Sequence, residues 1–277
     1  MQKSNLITIY NLIIIIFYSC TVVNAHEFWI DPTKFVVKAN EPILADLRVG
    51  QMMKGVSYGY YPRNFTRFEV KTKNNAVPLV GRIGDKPAIN IPPQGDHLVT
   101  IIHSTTNSVV AYNEWFLFEK FLQEKNLTET LSKHLQKQFP KTQFKELYSR
   151  YAKSLIGSGN SSGRDQKVGL EVEIVLKENP YTEDITNGLT IELIYQGLPI
   201  INTQIEIFSR ADDETVIRKT MFTNNLGQAK LQVLPKTNYM INSVIMRQPE
   251  KSITLTNESN LPILWESLWA STSFRIP

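Results

Sequence analysis

The chain has 277 residues, 42% of them hydrophobic and 20% charged, with a formal net charge of +4. That length allows one or two domains whose cores fold through apolar burial alone. The near-balanced charge and the absence of any nucleic-acid-binding motif exclude nucleic acid as the expected partner, and the single cysteine, Cys20, excludes an intrachain disulfide.

Residues 1–25 begin with one Lys and no acid. They continue through the apolar run Leu12 to Phe17 and end Val23-Asn24-Ala25. A basic start, a short apolar stretch and small residues at the end form a cleavable secretory signal, with cleavage expected after Ala25. A membrane span needs roughly 20 apolar residues. Tyr10, Asn11 and Tyr18 interrupt this run, so no stable span is expected after cleavage. Lipid attachment at Cys20 is the rival processing route, but Phe17 and Tyr18 fit a lipoprotein box poorly. The expected location is periplasmic or secreted.

From His26 to about Tyr112 the sequence alternates short runs rich in Val, Ile, Thr and aromatics (KFVVK, ILADLRV, RFEVK, HLVTIIH, SVVAY) with turn signals such as KANEP and IPPQGD. This is the pattern of an antiparallel β-sandwich. Residues 113–156 read as a helical insert. EWFLFEKFLQEK and TETLSKHLQKQF have helical character, and Asn113 and Thr142 are suitable caps. Phe144, Leu147, Tyr148, Tyr151 and Leu155 then recur at helical spacing until Gly157. On that reading Lys133, Lys137, Lys141, Lys145, Arg150 and Lys153 form a solvated basic helix face beside Glu146, with an anionic partner as the other option.

GSGNSSG, residues 157–163, is the expected flexible linker. Beyond it the period of two returns in LEVEIVL, TIELIYQG, QIEIFSR, VIRKTMFT, QAKLQVLP, YMINSVIMR and SLWASTSFRI. These strands predict a second antiparallel sandwich over 164–277. The expected fold class is therefore mainly β, with two sandwich domains, 26–156 and 164–277, and a small helical insert at the end of the first.

Four histidines are present: His26, His97, His103 and His134. Cleavage after Ala25 would give His26 a free α-amine beside its imidazole. These two nitrogens can chelate one ion, and a second histidine would complete a three-nitrogen site suited to Cu(II) or Ni(II). The amine, with a reference pKa of about 7.7 to 8.0, yields its proton to a metal near neutrality. The plain alternative makes HEFWI a first strand, with Phe28 and Ile30 facing a core and His26 fraying in solvent. His97 and His103 lie at the ends of one strand, about 20 Å apart at 3.3 Å per residue, so at most one can join His26. His134 borders the apolar face of a predicted helix. Glu27, Asp31 and Glu114 are acids near aromatics without a defined pairing. Trp29, Trp115, Trp265 and Trp269 read chiefly as core, with a sugar-stacking platform as the other option. Asn64, Asn126, Asn160 and Asn257 stand in glycosylation sequons that matter only in a eukaryotic host. No HExxH, GxSxG or phosphate-binding glycine loop occurs.

The ordered motifs HEFWIDP, YPRNFTRFE, ELYSRYAKSLIGSG, ENPYTEDITNGLTIELIYQGLPI, TNNLGQA and WESLWASTSF resemble a bacterial domain-of-unknown-function family over residues 26–277. Its members are exported proteins labelled as the periplasmic component of a cobalt or nickel ABC-type transport system. The resemblance implies that the second domain is a transthyretin-like, immunoglobulin-like sandwich. It also implies that His26 is a metal ligand and that a second family histidine falls at His134, while His97 and His103 fall outside any histidine pattern.

Together these readings predict an exported, non-catalytic protein that binds nickel, cobalt or copper through His26. His134 would be the second ligand, Glu27 an outer acid orienting the imidazole, and a membrane metal transporter the partner. His97 and His103 are the alternative ligands. Two other functions share the sequence. One is a copper-dependent oxidative enzyme using the same histidine brace, and the other is an adhesion or carbohydrate-binding sandwich without metal.

Overall fold

The computed structural model describes residues 26–73, 75–249 and 261–277. The expected signal at 1–25, Cys20 and the sequon at Asn257 lie outside the described residues. The first half contains β1 (Glu27–Pro32), β2 (Val36–Val37), β3 (Ile43–Gln51), β4 (Lys54–Tyr58), β5 (Phe65–Thr72), β6 (Asn75–Pro78), β7 (Ile89–Ile91), β8 (Leu98–Thr105) and β9 (Ser108–Tyr112). Two short helices follow, α1 (Trp115–Glu124) and α2 (Thr128–Gln136). The chain then returns through β10 (Phe144–Ser158), β11 (Val172–Leu176), β12 (Leu189–Tyr195), β13 (Leu198–Pro199), β14 (Gln204–Arg210), β15 (Val216–Phe222), β16 (Gln228–Leu231), β17 (Thr237–Arg247) and β18 (Ile263–Ile276).

The fold is mainly β, as the sequence predicts, but the two sandwiches share a sheet. Strands β15, β14, β17, β18, β10, β8, β5 and β6 follow one another in a single continuous sheet, with β2 and β9 also paired to β10. The join is a parallel pairing of β10 with β18, running from Lys145 beside Ile263 to Ser154 beside Ser273. The last strand of the chain thus closes onto the first half.

Two small sheets cover opposite faces of this spine. One contains β1, β3 and β4 with β7, and the other β11, β12 and β13 with β16. Alternation along β10 shows the two-sidedness. Tyr151 and Leu155 join the core under β11 and β12, whereas Ala152 and Ile156 join the core under β1 and β3. On β18, Leu268, Ala270 and Phe274 face the first of these cores, while the Ser273 hydroxyl donates to the Ile30 carbonyl on the other side. Helices α1 and α2 extend the β1 side, where Phe118, Phe121 and Leu122 pack with Val244, Trp265 and Trp269.

Strand β10 corrects the helix expected over 142–156. A strand buried on both faces loses its apolar-polar alternation, and its large residues then fall by chance at helical intervals. The basic face assigned to that helix is dismantled as well. Lys145 and Lys153 are buried, and Arg150 is half-buried, all on the central strand. The Lys153 ammonium, fully enclosed, contacts Asp165 at 2.9 Å and Glu173 at 3.1 Å.

Residues 157–163 are likewise no flexible linker. Gly157 and Ser158 complete β10, and the Asn160 N–H donates to Asp96 at 3.0 Å. The Asn179 amide donates to the carbonyls of Ser161 and Gly163, both at 2.8 Å. Gly159 turns at φ +57°, where a Cβ would lie 2.0 Å from an Asp96 oxygen, so the glycine serves a tight anchored turn. The expected division between 26–156 and 164–277 is therefore crossed by the sheet.

Candidate functional site

Strand β1 carries the residues singled out by sequence, and alternation divides them between two faces. Phe28 and Ile30 enter the core of the first half. The opposite face turns to the second half. Trp29 packs with Met53, Phe208 and Met240, and Asp31 is bridged by Arg48 at 2.9 Å and Arg210 at 3.0 Å. Glu27 also lies on that face, next to the buried Lys125. HEFWID is thus the seam between the halves, more deeply enclosed than a first strand with one core face.

Glu27 serves a charge network and does not orient the His26 ring. Lys125 contacts Glu27 at 3.3 Å and Glu206 at 2.6 Å, and its ammonium sits 5.1 Å from the centre of the Trp269 ring. Glu206 also accepts from Arg218 and from the Asn242 amide. Burial raises the Glu27 carboxyl above the usual range, with Lys125 opposing, and its second oxygen is enclosed without a partner. At Glu206 burial is outweighed by Lys125 and Arg218, which hold the carboxyl low.

His134 is no partner for His26. Its ring is fully buried among Trp115, Phe118, Phe139, Phe144 and Trp265. The Trp265 indole N–H, which can only donate, reaches His134 Nδ1 at 3.0 Å. The proton is therefore on Nε2, which donates to the Pro140 carbonyl at 3.2 Å. Both nitrogens are in use, and burial lowers the pKa, so the residue is a neutral core histidine. Its anchor, Trp265, lies four residues along β18 from Trp269, the ring beside the Glu27 network, or about 13 Å at strand rise. His97 sits just before β8, where its carbonyl accepts from the Ser158 N–H at the anchored turn.

His26 is half-buried at the entrance to β1. Its carbonyl accepts from an Arg150 Nη at 3.5 Å, and its neighbour Glu27 pairs with Gly50. It lines an open groove with Val49, Gly50, Gln51, Lys54 and Tyr58. Among the described residues, no group of three or more His, Cys, Asp or Glu could hold a metal ion. With both ring nitrogens committed to Trp265 and Pro140, His134 offers no second ligand beside His26.

A second opening adjoins this groove at Val49 and Tyr58, which line both. It is a cavity of about 260 Å³ whose walls include Phe28, Phe65, Tyr61 and Tyr148, with His103 and Arg150 among them. Tyr148 and Arg150 come from one face of β10. The guanidinium lies 4.7 Å from the Tyr148 ring centre and 6.0 Å from that of Phe28. The His103 ring packs against Phe28, Phe65 and Phe68, and burial pushes its pKa down to about 3, so it stays neutral. Sequence reasoning placed Arg150 on a helix exterior and missed it. The usable signal is Tyr148, Arg150, Ala152, Ser154 and Ile156 read as one face of a strand.

A sequence profile described as a domain of unknown function (DUF4198) matches residues 23–247. No curated protein matches the chain. A crystal structure titled as a tetra-tandem repeat in the extending region of a large adhesion protein is similar over 90% of this chain and 49% of its own, at 9% identity and a TM-score of 0.21. The chain spans about half the length of that structure. With its profile matched over most of the sequence, the chain belongs to the DUF4198 family.

Proposed function

We propose that this protein is an exported, non-catalytic carrier that takes up nickel, cobalt or copper on a clamp made by the α-amine and imidazole of His26. The observation that supports this reading is the seating of His26. It enters a fully buried strand, its carbonyl lies 3.5 Å from an Arg150 nitrogen, and the residue lines an open groove. A chain start fixed in this way would preorganise both nitrogens for one ion. Two protein ligands with open outward positions suit an ion that must be passed on, so a membrane metal transporter is the expected recipient. The ion fixes no identity by ligand type, because copper outranks nickel and cobalt at most nitrogen sites.

The test is the intact mass of the exported protein, followed by copper, nickel and cobalt titrations of wild type and two variants. The secreted chain is expected to begin at residue 26. His26→Ala should weaken binding at least about tenfold, since it removes the ring and leaves only the amine. His134→Phe should leave affinity unchanged, because that ring is committed to Trp265 and Pro140. A different chain start, or undiminished binding by His26→Ala, refutes the clamp.

A further inference from the structure

Six arginines are half-buried, and five of them have a carboxylate within ion-pair distance. Arg48 and Arg210 share Asp31, Arg67 has Glu69, Arg247 has Glu171 and Glu266, and Arg275 has Asp212. Arg150 is the exception among the described residues. Its Nε has no acceptor, its Nη2 reaches the His26 carbonyl at 3.5 Å, the Tyr148 hydroxyl bonds to the guanidinium, and Glu27, tied to Lys125, acts on it only from beyond ion-pair distance.

A desolvated guanidinium without an anion is costly unless something else supplies the charge. Arg150 lines a cavity whose other walls contain no acid that could do so and no second cation. We propose that this cavity is a binding site for a small organic carboxylate with a flat apolar body. Arg150 takes the carboxylate, and Phe28, Tyr58, Tyr61 and Phe65 enclose the body. The fork of a guanidinium matches a planar carboxylate, and ring faces favour a flat ligand. One cation without a helix end or glycine nest is a poor match for a phosphate dianion. Thr105, Thr106 and Ser108 supply hydroxyls at the rim for a polar substituent. The proposal does not depend on metal at His26.

The experiment is calorimetric titration of the exported protein with benzoate, alongside neutral benzamide and inorganic phosphate. Benzoate should bind saturably, and benzamide about tenfold or more weakly, because it lacks the charge Arg150 recognises. Arg150→Met should lose benzoate binding by a similar factor. Should that variant fail to fold, Tyr58→Ala at the exposed rim is the second reading, with binding expected to fall severalfold. His26→Ala should bind benzoate as wild type does, which separates this site from the metal clamp. Equal binding of benzamide, tighter binding of phosphate, or no saturable benzoate signal at millimolar concentration overturns the proposal.

Discussion

Two cations three residues apart on β10 live in opposite worlds. Lys153 faces the core under β11, where both oxygens of Asp165 and one of Glu173 meet its ammonium, and Glu173 in turn accepts from the N–H groups of Val168 and Gly169. Arg150 faces the core under β1 and meets rings, one distant carbonyl and a cavity. A strand that buries both faces can thus close a charge completely on one side and leave one poised on the other. The closed side is architecture, and the poised side is where a ligand can gain affinity.

Substitutions can break or sharpen this contrast. Lys153→Met should cost about 3–5 kcal/mol of unfolding free energy in urea titrations, since it leaves two buried carboxylates without their cation. A loss under 1 kcal/mol would mean that the triad is not closed. Glu146 is the anionic counterpart of Arg150: it is fully buried, with Tyr112 and Ser267 donating to it and no ion pair among the described residues. Burial pushes its carboxyl from 4.5 up to about 7. Between those values the folded state holds a proton that the unfolded chain has released, so stability falls as pH rises from about 4.5 to 7. Glu146→Gln should therefore be near neutral at pH 4.5 and stabilising by up to about 3 kcal/mol at pH 8, read from denaturation at both pH values. No difference between the two pH values would contradict the assignment.

Smaller effects sharpen the comparison from the satisfied side. His134→Phe leaves the Trp265 N–H and the Pro140 carbonyl without their partner, and should lower stability by about 1–3 kcal/mol in thermal or urea unfolding. Arg150→Met removes no ion pair, only ring contacts worth about 0.5–1 kcal/mol each and the bonds to the His26 carbonyl and the Tyr148 hydroxyl. Its relief from desolvation offsets part of that, so its unfolding free energy should stay within about 1 kcal/mol of wild type. A cost as large as that of Lys153→Met would make Arg150 a structural residue.

Much of the fold was legible from period-two segments such as LEVEIVL and QIEIFSR, because each packs one face against a single core. Strand β10 was not. Burial on two sides erased its alternation, and its charged residues then looked like a solvated helix. The glycines and serines of 157–163 looked flexible because composition does not reveal a turn fastened to Asp96 and Asn179. At the candidate site the sequence pointed to His26, but it paired that residue with His134, whose apolar surroundings were those of a packed ring. Arg150 escaped because its meaning lies in a missing carboxylate, which no linear motif records.

The parallel seam between β10 and β18 bears on how the chain acquires its shape. Ser273 bonds to Ile30 across 243 residues, and the spine of the first half is completed by the final strand. Pairings so distant carry a large loop-closure cost and slow the search for the native topology. A polypeptide emerging from one end would leave β10 with an open edge until β18 arrives, a surface prone to wrong pairings. Synthesis order and folding order are therefore opposed in this protein, and truncation within the last strand should leave the early half soluble only with a chaperone's help.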